Sequence, residues 1–289
     1  MSKKYICGIF GFPIAHSASP LIHNAAFQSL KMDGIYIPFE VMPHLLKKAV
    51  EALRVLSFTG VNVTIPYKEK VLPYLDKLSL EARLIGAVNT IKNENGKLVG
   101  FNTDAEGFQK ALEKNWGRSL TGSHLVLIGA GGAARAVAVQ AGVAGVRRLA
   151  IMNRDKLRLK KLIHHLNAHF PLMKVMGYAW QNAGIHSELE SCDCVVNATS
   201  LGMERKDPMP IMPAWLHSKS YVYDLIYKPF KTRWVKEAEK KGCRSSGGLD
   251  MLLHQGALSF QIWTGQKPPL GLMRKVLNQH LNKKVESKN

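Results

Sequence analysis

The chain is poor in cysteine, in acidic residues and in long apolar runs. Its four cysteines, Cys7, Cys192, Cys194 and Cys243, are too few and too scattered among 289 residues for a disulfide framework. None pairs at the C-x-x-C spacing of a structural zinc site, and Cys192 and Cys194 lie beside the apolar Val195-Val196, a setting for buried thiols. No metal is expected. No apolar stretch approaches the ~20 residues of a membrane-spanning helix, and Met1-Ser2-Lys3-Lys4 leads into a strand-like segment rather than a signal-peptide core. A cytoplasmic protein without a membrane partner is expected. No internal repeat, flexible linker or low-complexity tract breaks the sequence. Its 46% hydrophobic and 21% charged content is that of a folded protein, long enough for two domains.

Acid is scarce: 40 basic residues against 21 acidic ones leave a formal charge of +19. That balance raises polyanion binding as a function to weigh. However, clusters such as Arg147-Arg148 and Arg154 to Lys161 are separated by ordinary core segments, and no zinc-finger, basic-zipper or RNA-recognition pattern accompanies them. Solvated faces account for most of the charge, and no nucleic-acid partner is expected.

What is present is an alternation of strand-like and helix-like segments. Tyr5 to Gly11 reads as a short buried strand, and Ser19-Pro20 as an N-cap and first helical residue. Patterns at Ile35 to Phe39, Leu45 to Val55 and Gly60 to Ile65 follow. Asn102-Thr103-Asp104 then opens a helix that Gly117-Arg118-Ser119 breaks. The segment Asn62 to Lys68 runs from a strand into a proline-started helical turn, which places Lys68 at a strand's carboxyl end. Strands at Leu125 to Ile128, Arg148 to Met152, Cys194 to Ala198 and Tyr221 to Leu225 alternate with helices, and helical periodicity returns from Leu249. This order predicts an α/β fold with an open parallel sheet and a ligand crevice at the strands' carboxyl ends.

Gly129, Gly131 and Ala134 satisfy G-x-G-x-x-G/A directly after a strand and at the head of a helix. The first glycine permits the tight turn, the second lets backbone approach a pyrophosphate, and the helix N-terminus stabilises the phosphate charge. A turn without ligand is the alternative reading. A dinucleotide is therefore expected on Gly129, Ala130, Gly131, Gly132 and Ala133. At the end of the next strand, where NAD sites place a carboxylate, stand Asn153 and Arg154, with Arg158 one helical turn on. Arginine donors suit a 2′-phosphate, so NADP is the expected cofactor. Asp155 would weaken that contact unless it points away or caps the following helix.

Together with Ser17-Ala18-Ser19-Pro20, Gly86 to Thr90, Asn197 to Ser200, Asp224 to Tyr227 with Pro229, and Gly248 through Gln255 to Gly265, these segments resemble the shikimate dehydrogenase family in family order along nearly the whole chain. The resemblance implies reversible, NADP-linked reduction of 3-dehydroshikimate to shikimate, on the route to aromatic amino acids. It implies an α/β substrate domain, residues 1–104 completed by 249–289, and a Rossmann-like NADP domain with a parallel sheet, residues 105–248, sharing a short hinge. It implies Lys68 and Asp104 as the catalytic pair. Hydride arriving at a carbonyl carbon leaves negative charge on oxygen, and a carboxylate beside an amine favours its ammonium form, so Lys68 is expected as general acid in the reduction.

By the same resemblance Ser17 and Ser19 hold the substrate carboxylate with Tyr227, while Thr64, Asn89 and Gln255 bond ring hydroxyls. Thr199, Gly248 and Met251 lie near the nicotinamide half of the cofactor. Ala105 after Asp104, where glycine is usual, and Asp155, where threonine is common, depart from the family pattern. Serine rather than threonine at Ser19 favours shikimate over quinate. The competing readings are a quinate/shikimate enzyme using NAD as well as NADP, a catalytically silent NADP-binding regulatory module, and a basic nucleic-acid binder. A monomer or homodimer is expected.

Overall fold

The computed structural model describes residues 4–180 and 182–286. The chain divides into two compact units, Met1–Thr103 with Leu253–Asn289, and Asp104–Leu252. Sequence reading placed the two passages after residue 104 and before residue 249; residues 1–3 and 287–289 of the range so assigned lie outside the described residues.

The first unit opens with β1 (Tyr5–Gly11), α1 (Ser19–Ser29), β2 (Gly34–Glu40), α2 (Leu46–Val55) and β3 (Gly60–Val63). It continues with β4 (Lys77–Leu78), α3 (Leu80–Ile85), β5 (Thr90–Glu94) and β6 (Lys97–Phe101). Its sheet runs β2-β1-β3-β5-β6-β4, with β1 parallel to β2 and β3, and β5 antiparallel to β3 and β6. The sheet of this unit is therefore mixed. The reason is local: Asn95 and Gly96 stand at φ 53° and 88°, the left-handed pair that a two-residue hairpin requires, and the chain doubles back there. Leu46, Val50 and Leu53 recur at helical spacing on α2 and bury against Val61, Val63 and Tyr67. The edge of β2 is closed by Asn24, whose side-chain amide accepts from the Tyr36 N–H at 2.8 Å and donates to the Tyr36 carbonyl at 3.0 Å.

One local expectation is corrected here. Helix α1 is capped by Ala18, not Ser19, because the Ser17 hydroxyl accepts the Ser19 N–H at 3.3 Å and Ser19 becomes a buried first-turn residue. Beyond β3 the chain enters a succession of turns. Ile65–Pro66 is a cis peptide, Tyr67 N–H donates to the Thr64 carbonyl at 2.8 Å, and Val71 N–H to that of Tyr67 at 2.9 Å.

The second unit comprises α4 (Asp104–Trp116), β7 (His124–Ile128), α5 (Gly132–Val143), β8 (Arg148–Asn153), α6 (Lys156–His169), β9 (Lys174–Ala179) and α7 (Ile185–Ser191). Then come β10 (Cys194–Asn197), β11 (Tyr221–Asp224), α8 (Arg233–Lys240) and β12 (Arg244–Ser246). Helix α9 (Leu249–Thr264) carries the chain back to the first unit, where α10 (Leu270–Glu286) packs against α1. The sheet order β12-β11-β10-β7-β8-β9 is parallel throughout. It is the doubly wound order, with its switch point between the carboxyl ends of β7 and β10. β7, β10 and β11 are buried along their whole length, which is why they read as unbroken apolar runs.

At the opposite, amino-terminal end of this sheet a buried carboxylate ties three strands to α7. Glu188 accepts from Arg148 Nε at 2.7 Å and from the Tyr178 hydroxyl, and His124 Nε2 lies 2.9 Å from it. The Arg148 guanidinium, foremost, holds the carboxyl down at about 2 against the cost of burial. A carboxyl depressed on folding stabilises fully above its unfolded value and loses that contribution as pH falls through the folded one. Glu188→Gln is therefore expected to cost about 3 kcal/mol near neutrality. The difference from wild type, measured by denaturant unfolding, should shrink between pH 4.5 and 2.

Candidate active site

In the first unit, hydrogen bonds converge on Asn89, just before β5. Its N–H donates to the Phe101 carbonyl at 3.1 Å, and its carbonyl accepts the Val63 N–H at 2.8 Å. Its side-chain oxygen accepts from Thr103 N–H at 2.8 Å and from the Thr90 hydroxyl at 3.0 Å. Its amide nitrogen donates to Thr103 Oγ1 at 2.8 Å and to Gln255 Oε1 at 3.4 Å. Asn62 completes a buried polar frame, its amide donating to the Asn89 carbonyl, Thr90 Oγ1 and Ser259 Oγ, each at 3.0 Å, while accepting from the Tyr36 hydroxyl at 2.7 Å.

Candidate residues of this unit hang on that frame. The Lys68 carbonyl accepts from the N–H of Val88, the residue before Asn89, at 2.8 Å. Thr103, bonded to Asn89, is the residue before Asp104, which opens α4 and is 4% exposed. Gln255 is brought to Asn89, whose amide it accepts from. Thr64 follows β3, its N–H held by the Phe10 carbonyl at 2.9 Å, and its methyl lies where a Cβ on Gly11 would be, 2.6 Å away. Ser17 and Ser19 are joined by the bond that starts α1. The sequence reading passed over Tyr36, Thr90 and Ser259. A serine one turn beyond Gln255 on an apolar helix was the available signal.

In the second unit, Gly129 ends β7 at φ 116°, and its N–H donates to the Met152 carbonyl at 2.8 Å. A Cβ there would lie 3.1 Å from the Ala198 carbonyl oxygen and 3.2 Å from the Thr199 methyl, so the glycine turn and Thr199 meet at the switch point. Thr199 is held by Asn197, whose Oδ1 accepts its N–H at 3.1 Å and its hydroxyl at 2.7 Å. Asn197 in turn donates to Asp224 at 3.0 Å. Burial pushes the Asp224 carboxyl up to about 6, against the hydrogen bonds it accepts from Thr232, Ile226 N–H and Asn197. Gly131 caps α5, and a Cβ added to it would meet nothing within 4 Å. The turn Gly129 to Ala133 thus offers backbone, open space and a helix N-terminus, which fits the pyrophosphate of a dinucleotide.

Asp155 caps α6, accepting the Arg158 N–H at 3.0 Å, and the Asn153 amide donates to the Asp155 carbonyl at 2.9 Å. Arg154 and Arg158 are both exposed; Arg158 Nε lies 3.6 Å from the Asp155 carboxylate, an exposed pair of small energy. Gly248 donates to the Ile226 carbonyl at 3.0 Å, beside Tyr227, and a Cβ on it would stand 2.0 Å from the Leu225 oxygen. Met251, one turn along α9, is buried. Among the described residues no group of three or more His, Cys, Asp or Glu side chains could hold a metal ion, and no helix is long and apolar enough to cross a membrane.

A doubly wound parallel sheet with a glycine turn at its switch point, joined in one chain to a mixed α/β unit built round a polar frame, defines a dinucleotide-dependent α/β oxidoreductase. Family models match at residues 9–91, the shikimate dehydrogenase substrate binding domain, and at residues 248–277, the shikimate 5′-dehydrogenase C-terminal domain. A protein of Desulforamulus reducens named shikimate dehydrogenase (NADP(+)) is 44% identical over 97% of each chain. Among solved structures, a shikimate dehydrogenase in complex with NADP+ aligns with TM-score 0.87 at 35% identity, covering 97% of this chain and 98% of its own. The Listeria monocytogenes shikimate 5-dehydrogenase in complex with shikimate and NAD aligns at 0.86 and 35%, covering 95% and 96%. The chain belongs to the shikimate dehydrogenase family.

The two glycines should part company on substitution. Gly131→Ala meets no protein atom and is expected to fold with an unchanged melting temperature, yet to weaken NADPH binding, read by fluorescence titration, by about tenfold or more, because the methyl fills the cradle. Gly248→Ala, driven into the Leu225 carbonyl, is expected to lower stability by about 3 kcal/mol or prevent folding.

Proposed function

We propose that the protein catalyses the reversible, NADP-dependent reduction of 3-dehydroshikimate to shikimate, with residues 1–104 and 249–289 binding the substrate and residues 105–248 the dinucleotide. The observation that carries this reading is the convergence on Asn89 of Gln255, of Thr103 before Asp104, and of the backbone beside Lys68. Bound NADPH supplies the hydride. Lys68 donates the proton that the ring-ketone oxygen takes up as the hydride reaches its carbon, with Asp104 as the other member of the catalytic pair. Ser17, Ser19 and Tyr227 bind the substrate carboxylate through neutral donors. Thr64, Asn89 and Gln255 bond the ring hydroxyls and fix which face of the ketone is presented.

In this reading Gly129, Ala130, Gly131, Gly132 and Ala133 hold the pyrophosphate, and Asn153, Arg154 and Arg158 the adenosine 2′-phosphate. Thr199, Gly248 and Met251 flank the nicotinamide. The bond from the Arg158 N–H to Asp155 supports the NADP preference, because the carboxylate is engaged as a helix cap. All four cysteines are free and buried, which supports a reducing, cytoplasmic setting.

The test is the oxidation of NADPH or NADH, followed spectrophotometrically, with 3-dehydroshikimate or 3-dehydroquinate. Turnover is expected with NADPH and 3-dehydroshikimate. Equal use of NADH and 3-dehydroquinate would make it a dual-substrate enzyme, and no turnover with any pair a silent module. Lys68→Ala is expected to fold and bind NADPH while kcat falls by about 10²-fold or more. Near-normal turnover in that variant would remove Lys68 from the chemistry.

A further inference from the structure

We propose that Ser259 is a positioning residue for substrate recognition, acting through Thr90 and Asn62 on Asn89; this rests on the function proposed above. Ser259 is fully buried on α9, one helical turn beyond Gln255. Its hydroxyl stands 2.7 Å from Thr90 Oγ1, 3.2 Å from Thr103 Oγ1, 3.0 Å from the Asn62 amide nitrogen and 3.0 Å from the Gln255 carbonyl. A single oxygen thus joins the helix that carries Gln255 to β3, to β5 and to the residue before Asp104.

The proton order round this oxygen defines its task. The Asn89 side-chain oxygen is an acceptor only, and the Thr90 hydroxyl donates to it at 3.0 Å. Thr90 Oγ1 has then spent its proton and must accept from elsewhere: the Asn62 amide supplies one donor, and the single Ser259 proton is shared between Thr90 Oγ1 at 2.7 Å and the Gln255 carbonyl at 3.0 Å. That chain of donors makes one face of the Asn89 amide an oxygen acceptor and turns its nitrogen toward Thr103 and Gln255. An amide flipped by 180° would set its N–H groups against the Thr103 N–H and lose these bonds. Removing the Ser259 hydroxyl leaves Thr90 free to donate elsewhere and removes the tie between Gln255 and β5. The consequence falls on the presentation of Asn89 and Gln255, the groups assigned to the ring hydroxyls, and not on the dinucleotide turn at Gly129.

The experiment compares wild type, Ser259→Ala, Thr90→Val and Thr90→Ser, measuring kcat and KM for 3-dehydroshikimate, the Kd for NADPH and the melting temperature. Ser259→Ala and Thr90→Val are expected to raise KM for 3-dehydroshikimate about tenfold with the Kd for NADPH unchanged, and Thr90→Ser, which keeps the hydroxyl, to restore the wild-type KM. A purely structural role would lower the melting temperature while leaving KM within twofold of wild type, and that result overturns the proposal. Should Ser259→Ala not fold, the Thr90 pair decides on the same criterion. A wild type that binds NADPH but turns over no 3-dehydroshikimate overturns the proposed function and this inference with it, whereas active wild type with unaltered variants overturns the inference alone.

Discussion

An amide or hydroxyl taken out of water costs on the order of 1 to 3 kcal/mol unless it finds a partner, and the first unit buries several of them side by side. Tyr36, Asn62, Asn89, Thr90, Thr103 and Ser259 escape that cost because each satisfies another. The frame they form is contributed by β2, β3, β5, the segment before α4, and α9, elements far apart in the chain. Its geometry therefore depends on the mixed sheet being closed and on α9 returning to it. The positions of Gln255, of Thr103 and of the backbone at Lys68 then follow from hydrogen bonds and not from flexible loops.

The second unit solves a different problem, that of presenting backbone to an anion. Its sheet has two functional ends. At the amino-terminal end Glu188 ties Arg148, Tyr178 and α7 together, a stability device. At the carboxyl end Gly129 adopts a conformation that side chains rarely take, and Asp224 holds Asn197, which holds Thr199. The buried Asp224 carboxyl is pushed up to about 6, so the arrangement carries an electrostatic cost that the hydrogen bonds from Thr232, Ile226 N–H and Asn197 offset in part. Buried charge is spent in both places, once to hold strands together and once to shape a loop beside the glycine turn.

The strongly periodic elements were legible in the sequence. The unbroken apolar strands β7, β10 and β11, the glycine turn with its helix, and the amphipathic α2 follow from residue patterns that burial imposes directly. The antiparallel β5–β6 hairpin was passed over although Asn95-Gly96 announces it. The cap of α1 fell one residue before Ser19, where the Ser17 hydroxyl accepts the Ser19 N–H and Ser19 enters the first turn. Of the site, residues carrying a motif could be named one by one. The frame could not, because Thr90 and Ser259 are 169 residues apart in the chain and meet only through the tertiary fold.

Asp155 shows how a residue that looks wrong for a site can be right for the element beneath it. A carboxylate at the end of the second strand of such a sheet ordinarily receives ribose hydroxyls, and here it would stand between Arg154 and Arg158, which would face a 2′-phosphate. Its Oδ1 is occupied by the Arg158 N–H at the start of α6, and Arg158 Nε is only 3.6 Å from Oδ2. Part of its charge is thus delocalised into the helix N-terminus, where a negative group is stabilising, and the rest is screened by water around two exposed side chains. The exposed pair is weak enough for Arg158 to exchange the carboxylate for a doubly charged phosphate without breaking the cap, because the backbone bond and the guanidinium contact use different oxygens. Helix capping and phosphate recognition can therefore share one turn of chain, with Asp155 serving the first and, in the function proposed above, the arginines the second.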